Sequence, residues 1–442
     1  MKTRRTLALM AALSLAGTVG LNALDFDFGG FVENSSTPSV ALDAKNPVWA
    51  MDQKDRLALW AEMHFSPQLT LTAQGSYAFE INLPYLFDVD ILKLDWKILP
   101  SLQASLGRFV FSDFTGHVLN HKLDGAQFSL NFPFMVVNAG AGFSGLDLKP
   151  YSLILMSRAD TADQSNDSVI LAAPRLVEKL EVLFPNILPR QDITVSALAQ
   201  QDFRRSGDLI QEGEPQPFPT GLSGGRLTSE YFGVGVSGAI ISSLYYDAFF
   251  YYSLGSTLSY VADSASVTGS SYKYEAIQAF LGGIGLRYFN EALLSSRAEL
   301  RALISSGDAD NTKFIEGNTA GSSTLFVPIS QETLGLAFQP QLGNLIIIDA
   351  SYSVKPVTQL QLMLKGQAYL RPTTGAISAL GIDPASSALY LGSEVDGIAN
   401  FRPFSDLGLA LSLGFFLPNS SAFTGQASLP VLAGRFEVSL SF

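Results

Sequence analysis

Residues 436–442 read Phe436-Glu437-Val438-Ser439-Leu440-Ser441-Phe442, a strict alternation at the end of the chain. In a strand this sets Phe436, Val438, Leu440 and Phe442 on one face and Glu437, Ser439 and Ser441 on the other. One face suits lipid and the other a wet interior, the pattern of a membrane-spanning strand. An edge strand of a soluble sandwich can alternate in the same way but seldom stops at its apolar end. A terminal aromatic on such a strand resembles the signal read by the barrel-assembly machinery of bacterial outer membranes, so these four apolar residues are expected to act as an assembly signal.

Composition agrees with that reading. Hydrophobic residues make up 47 % of the chain and charged residues 15 %, where soluble proteins average about 25 % charged. No apolar run of about 18 residues, the length a spanning helix needs, follows the N-terminal segment. A closed barrel is the remaining spanning structure, because lipid does not tolerate unpaired sheet edges.

The N-terminus reads as a signal peptide over residues 1–23. Lys2, Arg4 and Arg5 form a basic region, residues 7–15 form a short apolar one, and Ala23 suits cleavage before Leu24. The barrel is then expected over 24–442. Removing the signal takes the net charge from −12 to −15, which argues against nucleic acid as a partner. There is no cysteine, which excludes a lipid anchor, disulfides and thiolate metal sites.

Period-two alternation recurs upstream, joined by tight turns at Pro67, Pro100, Pro133, Pro356 and Pro403. The remaining connections are long and polar, notably 144–174, 205–225 and 305–344. Short turns on one rim and long loops on the other define an outer-membrane barrel. If the chain ends in the periplasm, the proline turns lie on the periplasmic rim and the long loops face outward.

Eighteen segments fit, running from 24–33 to 432–442 and including 176–185. Residues 327–338 are left in a loop, since counting them would make the total odd. Ile91-Leu92 and Gly107-Arg108 interrupt the alternation and are expected to be bulges. The aromatic runs Tyr245-Tyr246 and 249–252 are expected to sit at the membrane interfaces. The fold class is therefore all-β, a single antiparallel up-and-down barrel of about eighteen strands.

Leu391-Gly392-Ser393-Glu394-Val395-Asp396, then Phe401-Arg402-Pro403 and 413–418, resembles the C-terminal hairpin of the alginate-export family of outer-membrane barrels. Phe326-Val327-Pro328, Gly335 and Asn344-Leu345-Ile346 are similar to that family's long loop and returning strand. Gly107-Arg108-Phe109 with Asp124-Gly125-Ala126 resembles its Gly-Arg strand and partner strand. The resemblance implies a monomeric eighteen-stranded barrel with a selective pore, and it does not carry the solute over.

With the apolar face towards lipid, the other face names the pore lining. The candidates are Arg108, Arg297, Glu299, Arg301, Asp349, Lys365, Glu394 and Asp396, with Asp90, Lys93, Asp95 and Lys97 on an earlier strand. About half are expected to pair with one another, because buried charges need partners. The others would tune conductance or selectivity.

His117 and His121 are four residues apart but lie in a connection with no third ligand, so a metal site is not expected. His64 stands alone on a strand and is expected to line the lumen. No histidine has a Gly-x-Ser-x-Gly partner, and Gly282-Gly283-Ile284-Gly285 lies within a strand pattern, so neither a hydrolase nor a phosphate loop is indicated. No cofactor is implied.

The function expected is a passive channel in the outer membrane of a diderm bacterium, for diffusion or export of hydrophilic solutes, anionic or oligosaccharide. Its partners would be outer-membrane lipid, the assembly machinery and a small solute. The competing reading is a plugged barrel whose loops serve as an adhesin or ligand-binding surface. Uptake of hydrophobic compounds would need an apolar lumen and an N-terminal hatch, and the charged inward faces speak against it.

Overall fold

The computed structural model describes residues 25–43, 47–81, 83–219, 221–379, 381–383 and 386–442. The expected signal peptide lies outside the described residues. The first nine strands are β1 (Asp25–Ala41), β2 (Val48–Ser66), β3 (Leu69–Glu80), β4 (Leu83–Leu99), β5 (Leu102–Ser112), β6 (Asn120–Asn131), β7 (Val136–Phe143), β8 (Arg175–Leu188) and β9 (Gln191–Asp202). The second nine are β10 (Thr228–Ile241), β11 (Leu244–Ala262), β12 (Ser270–Asn290), β13 (Ser296–Ser305), β14 (Leu345–Val357), β15 (Leu360–Leu370), β16 (Tyr390–Phe401), β17 (Leu407–Pro418) and β18 (Val431–Ser441).

Each strand pairs antiparallel with its neighbours in sequence, and β1 also pairs with β18, so the sheet closes on itself. This is the eighteen-stranded antiparallel barrel that the alternation implies, with the outer-membrane porin fold. Residues 327–338 lie in a connection. Several strands outrun the expected segments: β1 continues to Ala41, β11 to Ala262 and β12 to Asn290. The added residues are polar or irregular in pattern, and pairing with a neighbour holds them extended.

Closure is made by the chain end. The Gly30 amide donates to the Phe442 carbonyl and the Phe442 amide to the Gly30 carbonyl, each at 2.9 Å. Glycine is required there, since a Cβ on Gly30 would come within 2.6 Å of the Phe442 ring and 2.9 Å of the Ala58 carbonyl.

A bulge occurs beside Ile91-Leu92 but not at them: Leu92 and Ile91 pair with Ala73 and Gln74, Val89 pairs with Gly75, and Asp90 is the residue left over. The expected bulge at Gly107-Arg108 is absent. Register runs unbroken from Leu92↔Arg108 and Lys93↔Gly107 on one side to Arg108↔Asp124 on the other. Gly107 absorbs the local bend with a φ of +112° instead. The aromatic run of β11 divides by parity: Phe250 and Tyr252 face outward, whereas Tyr251 is fully buried in the barrel's outer half.

Replacing Phe442 with Ser, or deleting it, is expected to lower the folded, heat-modifiable fraction several-fold on semi-native gels. Undiminished folding would contradict its role in closure.

Candidate functional site: the loop-narrowed lumen

Three connections fold inward and build a constriction. The first, 113–119, is organised by Asp113, whose carboxylate accepts the amides of Thr115 (2.8 Å), Val118 (3.0 Å) and Leu119 (2.8 Å) and the Tyr251 hydroxyl (2.9 Å). The second, 144–174, carries helix α1 (Arg158–Ser165), capped reciprocally by Ser157 and Asp160. Asp160 is clamped by Arg175 at 2.8 Å and Arg204 at 2.7 Å. Burial alone would raise its pKa, but the two guanidinium groups outweigh that and hold it below the ordinary carboxylate value.

The third, 306–344, crosses the lumen as a beam. At one end the Ile329 and Ser330 amides donate to the Val118 carbonyl (2.9 and 3.1 Å), and the Gln331 amide donates to the Leu153 carbonyl (2.8 Å). At the other end the Glu394 carboxylate on β16 accepts three consecutive amides, Leu336, Ala337 and Phe338, all at 2.8 Å. Phe338 stacks on Phe416, with centroids 4.4 Å apart and rings inclined by 7°, and meets Tyr369 edge-on. Ile154, Met156, Phe326 and Ile329 from these loops are fully buried against Tyr231, Tyr251 and Leu281 of the wall.

Open space remains beside and below the beam. A cavity of about 1490 Å³ is lined by Arg190, Asp192, Arg287, Glu291, Arg297 and Lys355 among others. A cavity of about 410 Å³ next to the beam shares Arg287 and includes His117, Asp247, Glu299 and Arg301. A third, of about 830 Å³, is lined by Arg56, Arg402, Arg435 and Glu437 and shares Gln361 with the first.

The sequence-derived candidates fall into three groups. Arg297 pairs with Glu299, and Arg301 with Asp349 at 3.1 Å, all on the inward parity of β13 and β14. Lys365 and Asp396 are register partners, but Asp396 and Glu394 are buried, and Glu394 is engaged by the beam. Arg108 stands apart. It shares the parity of the exposed Val110, not that of the buried Phe109 and Phe111, so it does not face the lumen where the sequence reading set it.

His117 meets Glu332 of the beam at 3.2 Å, whereas His121 lies 3.6 Å from Asp147. The two therefore do not converge, and among the described residues no group of three His, Cys, Asp or Glu could hold a metal. His64 contacts Glu62 at 3.2 Å. Sequence reasoning missed Glu332, which lies in a loop without period. It also missed Arg287, held by Asp247 at 2.7 Å, and Arg435, although Arg435 shares the parity of Glu437.

No family model matches the chain, and no curated protein does. Solved structures do. Pseudomonas aeruginosa OpdQ aligns with a TM-score of 0.58 at 9 % identity, over 95 % of this chain and 98 % of that one. Its outer membrane protein OpdK aligns at 0.57 and 11 %, over 94 % and 98 %, and OpdR (OccK11) at 0.56 and 12 %, over 95 % and 96 %. A further OpdK structure holds vanillate.

The fold is thus an eighteen-stranded barrel resembling those of the OccK and OprD porins of Pseudomonas. The whole-chain likeness lies with those barrels and overturns the alginate-export resemblance drawn from motifs. The motif residues serve local needs of the backbone here: Phe401-Arg402-Pro403 leads into the β16–β17 turn, and Gly392 takes a φ of +152° at a register shift.

Glu316 of the beam connection is fully buried, and that burial pushes its carboxyl up to about 8. Since the folded state holds the proton more tightly than the unfolded chain, loop packing is strongest below about pH 4.5 and weakens as pH rises to about 8. Glu316→Gln is expected to flatten that dependence in limited proteolysis of the loops across this range. Glu394→Gln is expected to loosen the beam by roughly 1.5–3 kcal/mol per weakened charged hydrogen bond, seen as faster cleavage within 331–343 and larger current fluctuations.

Proposed function

We propose that this chain is a passive outer-membrane channel for small hydrophilic solutes, with a preference for anions. The observation that carries this reading is a polar lumen with cavities linked through shared lining residues, inside a wall whose outward face is apolar. Among the described residues Arg190 and Lys355 of the 1490 Å³ cavity and Arg435 of the 830 Å³ cavity take part in no ion pair, whereas Lys365 faces Asp396 across the β15–β16 ladder. Arg297 and Arg301 are largely neutralised by Glu299 and Asp349. These cations stand beside the carboxylates Asp192, Glu291, Asp52 and Glu437 in the same linings, so an anion meets several weak sites that attract it and release it readily.

The inward loops favour small solutes over oligosaccharides, because they fill much of the outer half of a lumen that is wide in barrels of this size. Vanillate, found in OpdK, is an anion of the appropriate size class. Export by the signal peptide over 1–23, assembly through the C-terminal strand and a monomeric state belong to the same proposal.

The second reading, a plugged barrel with a surface-binding role, draws support from the fully buried loop core. Conductance separates the two. Purified protein in planar bilayers is expected to pass steady current with anion preference, and Lys355→Glu with Arg435→Glu is expected to shift selectivity towards cations. Insertion without current would favour the plugged reading, and unchanged selectivity would overturn the role of the free cations.

A further inference from the structure

The barrel wall is not fully laced. Pairing between β4 and β5 ends at Leu92↔Arg108. Above that point β4 keeps β3 as a partner through Glu80↔Leu83, but its edge towards β5 carries no ladder. The seam opens seven positions above Leu99, which at about 3.3 Å per residue and a tilt of ~40° is roughly 18 Å up a band of about 25 Å. That depth is the outer leaflet, where an unpaired edge is costly unless something polar covers it.

Charged groups gather at the seam on a face that lipid would otherwise contact. Arg108 forks onto Asp124 at 2.9 and 2.7 Å, donates to the Val89 carbonyl at 3.1 Å and reaches Asp88 at 3.4 Å. Lys122 bridges Asp88 and Asp147. Arg108, Lys122 and Asp124 stand on the outward parity of β5 and β6, whereas Asp88 stands on the inward parity of β4. The free part of β4 therefore turns its inner face onto the outer face of its neighbours.

The ionic line continues into the lumen. Asp90 pairs with Arg56 at 2.8 Å, Arg56 with Glu33 at 3.3 Å, and Lys54 with Glu80 at 2.7 Å. Arg56, Glu33 and Lys54 line the 830 Å³ cavity. The Tyr151 ring lies between Lys54 and Lys122, 4.9 and 5.7 Å from their ammonium groups. Along this track six carboxylates face four cations. Its outer rim is apolar and open: Tyr85 is 77 % exposed, Phe87 74 % and Val110 58 %.

We propose that the β4–β5 seam is a lateral port for amphiphiles with a cationic head group, which travels the acid-rich track between lumen and outer leaflet while the chain stays in lipid. The excess of carboxylates selects the head group, and the aromatic rim receives the tail. This deepens the channel reading by adding a side route to the axial one, and it rests on that reading for the connection to bulk water.

The test uses a photoreactive dodecylammonium probe in phosphatidylcholine proteoliposomes, with adducts mapped by mass spectrometry. The chain has no cysteine, so Val89→Cys with Val110→Cys can be cross-linked after folding to staple the seam, the same protein left uncross-linked serving as control. Adducts are expected within 86–90 and 108–124, to fall several-fold on stapling and in Asp88→Asn with Asp124→Asn, and to rise about fourfold in apparent affinity per added methylene. Equal labelling by a dodecyl sulfate analogue, or labelling unchanged by the staple, would overturn the port. Bilayer current is recorded separately: seam labelling without current sinks the channel reading alone, and normal current without seam labelling sinks the port alone.

Discussion

A backbone amide or carbonyl left unpaired in hydrocarbon costs several kcal/mol, and most of this structure follows from avoiding that cost. The ladder from Phe31↔Ser441 to Ala41↔Val431, finished by the reciprocal hydrogen bonds between Gly30 and Phe442, joins the first and last strands and removes two edges at once. Once the sheet is closed, every strand residue faces either lipid or lumen. Parity alone then sorts Phe436 and Leu440 from Arg435 and Glu437. One stretch of wall departs from this rule, β4 above Leu92, and there charges collect on the outward parity of β5 and β6.

A barrel of eighteen strands encloses more space than side chains can fill, so the connections determine what remains open. They do so with carboxylates. Asp113 gathers the amides of its own short loop, Asp160 draws two arginines onto α1, and Glu394 takes three successive amides of the beam. Each loop carries backbone donors that find no partner in its own irregular conformation, and a buried acid answers several together. An acidic chain is suited to that task, and its net charge therefore says little about the pore. Among the described residues Arg190, Lys355 and Arg435 line the cavities without an ion pair, whereas Arg287, Arg297 and Arg301 are held by carboxylates.

The strands were legible from sequence because lipid on one side and water on the other impose a period of two with few exceptions. The inward positions of Arg297, Glu299, Arg301 and Asp349 followed from that period, and so did the exclusion of 327–338 from the strand count. The kinship drawn from motifs did not hold, because the motif residues sit at a turn and a register shift of this barrel, whose whole-chain likeness lies with other structures. Arg108 was misplaced for a related reason. A charge on the apolar parity was read as a register slip, whereas Gly107 bends without one and the guanidinium finds Asp124 and Asp88 on the outside.

Sequence by itself determined the barrel, its strand number, its closing strand and the face of nearly every strand residue, since these depend on local alternation and on the backbone's need for partners. Only the tertiary structure decided how the lumen is narrowed, that Glu332 meets His117 across 215 residues of chain, that Glu394 serves the beam, and that the wall parts between β4 and β5. Those features depend on contacts between loops and strands far apart in sequence. No periodic pattern encodes them, because each is set by where the closed sheet brings distant segments together.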